Sequence, residues 1–148
     1  MIYRINHSGF SEIEHTADVG IQVLGYSREE LFANALFGMY HILYSDIPVK
    51  KVKLFSIHLS ETTLEDLLVS WLSEMNYHLT TNKFVAREIQ KISITNQKEN
   101  FSLTAQLIGD AGKSYLDCLQ TEIKAITYHQ LHIVEEGGVY TARVIFDI

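Results

Sequence analysis

From Val19 the chain alternates, with Val19, Ile21 and Val23 on one side and Gly20 and Gln22 on the other, the two-residue period of a half-buried strand. Gly25-Tyr26-Ser27 ends that run. Ser27-Arg28-Glu29-Glu30 is a capping box, in which the serine oxygen accepts from the third helical amide while Glu30 reaches back. Leu31, Ala35, Leu36, Met39, Ile42 and Leu43 follow at helical spacing and predict a first helix from Arg28 to Tyr44. Asp46-Ile47-Pro48 holds the only proline and breaks it. Phe55, Ile57 and Leu59 alternate with polar residues as a second strand. Thr62 and Thr63 are candidate caps for a second helix. Its apolar residues Leu64, Leu67, Leu68, Trp71, Leu72, Met75 and Leu79 form one stripe that needs a sheet or helix opposite.

Beyond Lys83 the helical period fades, and β-rich segments are predicted at Phe84 to Thr95, Phe101 to Ile108, Tyr115 to Tyr128, Leu131 to Val134 and Val139 to Phe146. Asn96-Gln97-Lys98-Glu99-Asn100 and Glu135-Glu136-Gly137-Gly138 carry the turn chemistry of antiparallel hairpins. Two helices among early strands, then a run of strands, describe an α+β domain whose mostly antiparallel sheet carries both amphipathic helices on one face. The whole chain, residues 1–148, reads as one domain.

Composition changes this picture little. Hydrophobic residues at 47% and charged residues at 20% exclude a disordered chain and require a packed core. A net charge of −6 opposes unaided adhesion to a phosphate backbone, so a role on nucleic acid is expected to be indirect. The single cysteine, Cys118, makes no internal disulfide, and Met1 to His7 has no basic stretch with an apolar signal core. No apolar run approaches the roughly 18 residues of a membrane span. A soluble, cytoplasmic protein without membrane contact is expected.

Candidate chemistry gathers at two distant places. Glu12-Ile13-Glu14-His15-Thr16-Ala17-Asp18 sets three acids and a histidine before a strand, and the last strand ends in Asp147-Ile148, adding an aspartate and the main-chain carboxylate. If the final strand runs antiparallel beside the one starting at Val19, Asp18 faces Asp147, and parity puts both on the more polar side. Three carboxylates about 4 Å apart repel by a few kcal/mol per pair at an effective dielectric of about 20, and a cation removes that cost. All-oxygen ligation favours calcium, magnesium or manganese over zinc. The plainer reading makes Asp18 an Asx-turn residue and Asp147 a solvated terminus. His15 reads either as a turn-locking residue or as a proton-transfer group. Glu122 and Lys124 share a predicted strand face as a charge pair, and His129 stands at that strand's end. No phosphate loop, nucleophile elbow or zinc-helix motif is present.

Ile13-Glu14-His15-Thr16-Ala17-Asp18-Val19-Gly20-Ile21 resembles the archease family, small proteins that assist the GTP-dependent tRNA-splicing RNA ligase. The resemblance continues in family order through Glu29-Glu30-Leu31-Phe32-Ala33-Asn34-Ala35, Leu64 to Glu74, Glu122-Ile123-Lys124-Ala125-Ile126-Thr127-Tyr128-His129 and Arg143-Val144-Ile145-Phe146-Asp147-Ile148. Asn76 stands where an apolar residue is expected and Gln130 where glycine is common. The resemblance implies a metal site of Asp18, Asp147 and the terminal carboxylate of Ile148, holding calcium, or manganese or magnesium in function. Glu14, His15, Lys124 and His129 are then candidates to orient those ligands or touch the partner. It further implies a non-enzymatic activator, with the RNA ligase as partner and RNA met only indirectly, promoting guanylylation of the ligase and multiple turnover. Two rival readings are a metal-dependent phosphoester hydrolase, with Asp18 and Asp147 as ligands and His15 moving the proton, and a metal-independent chaperone of RNA-modifying enzymes.

Overall fold

The computed structural model describes residues 1–14, 18–44, 52–81, 84–111 and 114–148, without the side chains of Glu14, Ser114 and Tyr115. In chain order the elements are β1 (Tyr3–Arg4), β2 (Phe10–Glu14), β3 (Val19–Gly25), α1 (Arg28–Leu43), β4 (Lys53–Glu61), α2 (Leu64–Thr80), β5 (Val85–Gln97), β6 (Asn100–Asp110), a short 3-10 helix (Ser114–Cys118), β7 (Ala125–Ile126), β8 (Val134–Glu136) and β9 (Val139–Asp147).

The α+β class stands, and every strand pair is antiparallel. The strands divide, however, between two sheets, β1-β5-β6-β4 and β2-β3-β9-β7, with β8 also on β9. The reason lies in α1. Every residue from Leu31 to Tyr40 is buried, including Phe32, Phe37 and Tyr40 off the predicted stripe. A helix apolar all round needs cover on every side, which one sheet does not supply. Accordingly α1 touches β2, β3 and β9 of one sheet and β5 of the other, while α2 touches β4, β5, β6 and β7. The Trp71 indole N–H donates to Phe32 O at 3.0 Å and pins the two helices together.

Both helix starts follow the sequence. Ser27 Oγ accepts from Glu30 N at 3.0 Å, and Glu30 reaches back to the Tyr26 amide rather than to that of the cap residue. Thr63 Oγ1 accepts from Asp66 N at 3.0 Å. The hairpin turns are also where the turn residues put them. Lys98-Glu99 joins Gln97 to Asn100, and Gly137-Gly138, with φ of 59° and 82°, joins Glu136 to Val139.

The strand expected from Tyr115 to Tyr128 is not formed. Ala125–Ile126 is its one strand among the described residues, Leu119 makes an isolated bridge to Tyr44, and Glu122 and Lys124 lie outside any strand. The backbone here is committed elsewhere. Gln120 N donates to Leu43 O at 2.8 Å, and its side-chain amide donates to Ile42 O at 3.0 Å and His41 O at 3.3 Å, so this segment serves the open carbonyls at the end of α1. Gln120→Ala removes the side-chain bonds and keeps the backbone one. It is expected to cost about 1 kcal/mol, read as a lower urea midpoint at unchanged slope. The strand expected at Leu131 to Val134 likewise begins only at Val134, because Leu131 N bonds Tyr128 O in a turn and Ile133 N bonds Glu65.

Candidate functional site

β3 and β9 pair without a break from Gly25↔Tyr140 to Val19↔Phe146, so the next positions along the ladder are Asp18 and Asp147. Their side chains fall on the face of Gly20, Gln22, Arg143 and Ile145. That face is polar only toward its ends. Gly20 and Ile145 are buried on it, and a Cβ at residue 20 would lie 2.7 Å from Ile145 Cδ1 and 2.9 Å from Val144 O. Glycine therefore lets β9 close on β3 just inside the acidic pair.

The tail of β9 is held from its other side as well. Ala125 pairs with Asp147 and Ile126 with Phe146; Lys124 N donates to Asp147 O at 2.7 Å. Thr127 donates to Ile145 O through its amide at 3.0 Å and its hydroxyl at 2.9 Å. Asp18 is half-buried, Asp147 is exposed and Ile148 is 40% exposed, which leaves the end of the ladder open to solvent. Asp18, Asp147 and the terminal carboxylate make an all-oxygen donor set, which fits a hard divalent cation. Among the described residues no three His, Cys, Asp or Glu side chains cluster as a metal site, so this set depends on the main-chain carboxylate as its third anion.

The other candidates divide. Glu14 pairs with Val19 at the end of β2, which brings its backbone to the same end of the sheet. His15 lies outside the described residues. Lys124 is exposed and meets Asp147 through its backbone. His129 is exposed in the turn after β7, its amide 3.3 Å from Thr127 Oγ1. The next residue, Gln130, has φ of 57°, a left-handed conformation that explains why glycine suits that position. Cys118 is a free, half-buried thiol.

Sequence reasoning missed what positions this edge. The segment from Ile123 to Ile133 runs back along α2: Asn76 Nδ2 donates to Ile123 O at 2.9 Å, Tyr128 bonds Asp66, and Ile133 N donates to Glu65 Oε2 at 3.1 Å. Asn76, out of place in an apolar stripe, was the available signal. A cleft of about 320 Å³ between this segment and α2 is lined by Asn76, Tyr77, Thr80, Glu122 and Lys124.

The hydrogen bond to Asp66, then burial and the charges of Asp66 and Glu61, hold the Tyr128 phenol above its ordinary value of 10.0. Because the folded value is the higher one, this contact contributes fully below pH 10.0 and is lost as pH rises through the folded value. Tyr128→Phe is expected to remove one late-ionising tyrosine from the alkaline absorbance titration. Loss of a tyrosine that ionises at or below its ordinary value would contradict the contact.

No helix among the described residues is long and apolar enough to cross a membrane. Comparison with known proteins agrees along the chain. A sequence profile of the Archease protein family (MTH1598/TM1083) matches residues 10–148. Protein archease of Methanosarcina barkeri is 34% identical over 139 residues, covering 94% of this chain and 95% of the relative, and that of Saccharolobus islandicus is 32% identical over 94% and 98%. A solution structure of Methanobacterium thermoautotrophicum protein 1598 superposes with a TM-score of 0.77 at 26% identity, over 95% of this chain and 99% of that one. A crystal structure from Thermotoga maritima, described as an archease and possible chaperone, has a TM-score of 0.53 at 25% identity over 97% and 100%. With sequence profile, relatives and fold in agreement over nearly its whole length, this chain belongs to the archease family.

Proposed function

We propose that this chain is a non-enzymatic, cytoplasmic accessory protein of the GTP-dependent tRNA-splicing RNA ligase, promoting guanylylation of the ligase and allowing it to turn over repeatedly. The observation that supports this reading is the β3–β9 register, which ends at Val19↔Phe146, one residue from both Asp18 and Asp147. Family membership supports the partner, through the resemblance carried by the motifs around these residues.

Asp18, Asp147 and the Ile148 carboxylate would hold the ion, with calcium first and manganese or magnesium as substitutes. When bound, it would supply a positive centre for phosphate oxygens. The chain's own residues do the rest. Backbone bonds from Lys124 to Asp147 O and from Thr127 to Ile145 O hold the β9 tail in place. Glu14, His15, Lys124 and His129 are the residues proposed to orient the ligands or contact the partner. A net charge of −6 steers the rim toward a positively charged, metal-containing cleft.

The test is RNA joining with substoichiometric ligase and excess RNA ends bearing a phosphate and a hydroxyl. The reading requires many joined products per ligase when this protein is present and about one when it is absent. Phosphoester cleavage by the isolated protein would replace it with a hydrolase. Stimulation that survives full chelation would replace it with metal-independent modulation, the role closest to the chaperone description of the Thermotoga maritima relative.

A further inference from the structure

The first sheet ends on a long, regular strand. β4 lies at the end of the order β1-β5-β6-β4 and pairs with β6 over all nine of its residues, from Lys53↔Gly109 to Glu61↔Phe101, with no bulge. It contains no proline. Among the described residues, β4 backbone groups bond only β6, so the row of N–H and C=O groups on its other edge meets no described partner. Natural proteins usually blunt such an edge with bulges, prolines or central charges. Here the two charges stand at the ends, Lys53 first and Glu61 last, with Glu61 Oε1 also accepting from Ser70 Oγ of α2 at 2.7 Å.

We propose that β4 is a homodimerisation edge, pairing antiparallel with β4 of a second copy about a two-fold axis through Ile57. That register is self-complementary. On the helix-packed face it sets Lys53 against Glu61 of the other copy, Phe55 against Leu59 and Ile57 against Ile57. On the opposite face, Leu54, 59% exposed, meets Ser60, and Ser56 meets His58. A two-residue slip would set Lys53 against Leu59 or Glu61 against Phe55, and parallel pairing would set Lys53 against Lys53. Both cross-strand ion pairs therefore select one register and one direction. The product is an isologous dimer with a continuous eight-stranded sheet. A nine-residue strand spans about 30 Å, so the contact is small and the dimer is a reversible one, with a dissociation constant of about micromolar order.

Sedimentation equilibrium of the full chain over a concentration series tests this. The wild-type protein is expected to pass from monomer to dimer. Lys53→Glu and Glu61→Lys each turn two attractive pairs into repulsive ones and weaken the dimer about tenfold or more. An equimolar mixture of the two variants restores both attractive pairs and is expected to dimerise about as well as wild type. A wild-type protein monomeric throughout, single variants as dimeric as wild type, or a mixture no better than its components would each overturn the proposal. Amide exchange gives a reading that needs no variant: alternate amides of β4 gain protection as wild-type concentration rises, and their indifference to concentration would also overturn it.

Discussion

Asp18→Ala and Asp147→Ala are each expected to reduce stimulation of ligase turnover by at least about tenfold while leaving the fold intact, since each removes one of three anions around the proposed ion. Glu99→Ala, an exposed charge in the β5–β6 turn, removes the same charge from a distant place and is expected to leave turnover unchanged. A second measurement separates ion binding from general damage. Without metal, removing the exposed Asp147 carboxylate relieves repulsion with the neighbouring terminal carboxylate, so Asp147→Ala is expected to melt no lower than wild type. With calcium, only wild type is stabilised, because only a folded state that binds the ion gains from it. Adding residues after Ile148 moves the free carboxylate away with both aspartates in place, and calcium affinity is expected to fall. Full turnover in both aspartate variants would end the acidic-rim reading.

Trp71→Ala carries the largest expected loss of stability. The ring is completely buried and joins α2 to α1, so its removal opens a cavity at the junction of the helices and takes the donor from Phe32 O. Truncation of a buried aromatic costs about 3–5 kcal/mol, against a total near 5–15 kcal/mol for a domain. The variant is expected to unfold at a much lower urea concentration or to be only partly folded at 37 °C. Trp71→Phe keeps most of the packing and loses the N–H, and it falls between the two. A Trp71→Ala protein within about 1 kcal/mol of wild type would show that the helices are joined elsewhere.

Local chemistry made much of this fold legible. Ser27 and Thr63 cap helices because a short side-chain oxygen before an apolar period has few other uses, and paired glycines at 137 and 138 suit a two-residue turn. The pairing of β3 with β9 was readable for a similar reason. Antiparallel pairing and a two-residue period leave few ways to join two strands, and the ladder from Gly25↔Tyr140 to Val19↔Phe146 is the expected one. What escaped notice depends on distant partners. Nothing near Gln120 in sequence reveals that its amides serve the end of α1, so its β-favouring neighbours read as a strand. Phe32, Phe37 and Tyr40 lie off the first helix's stripe, and only their joint burial shows that α1 needs cover from two sheets. Asn76 interrupts an apolar stripe for a reason that lies far along the chain, the carbonyl of Ile123 to which it donates.

The enclosure of α1 limits how this chain can be divided. Because the helix contacts strands of both sheets and is buried along most of its length, removing either sheet would leave a greasy rod facing water. Neither half is therefore a free-standing module that could be trimmed, exchanged or expressed alone. The acidic edge and the β4 edge, though they belong to different sheets, rise and fall with one folding transition.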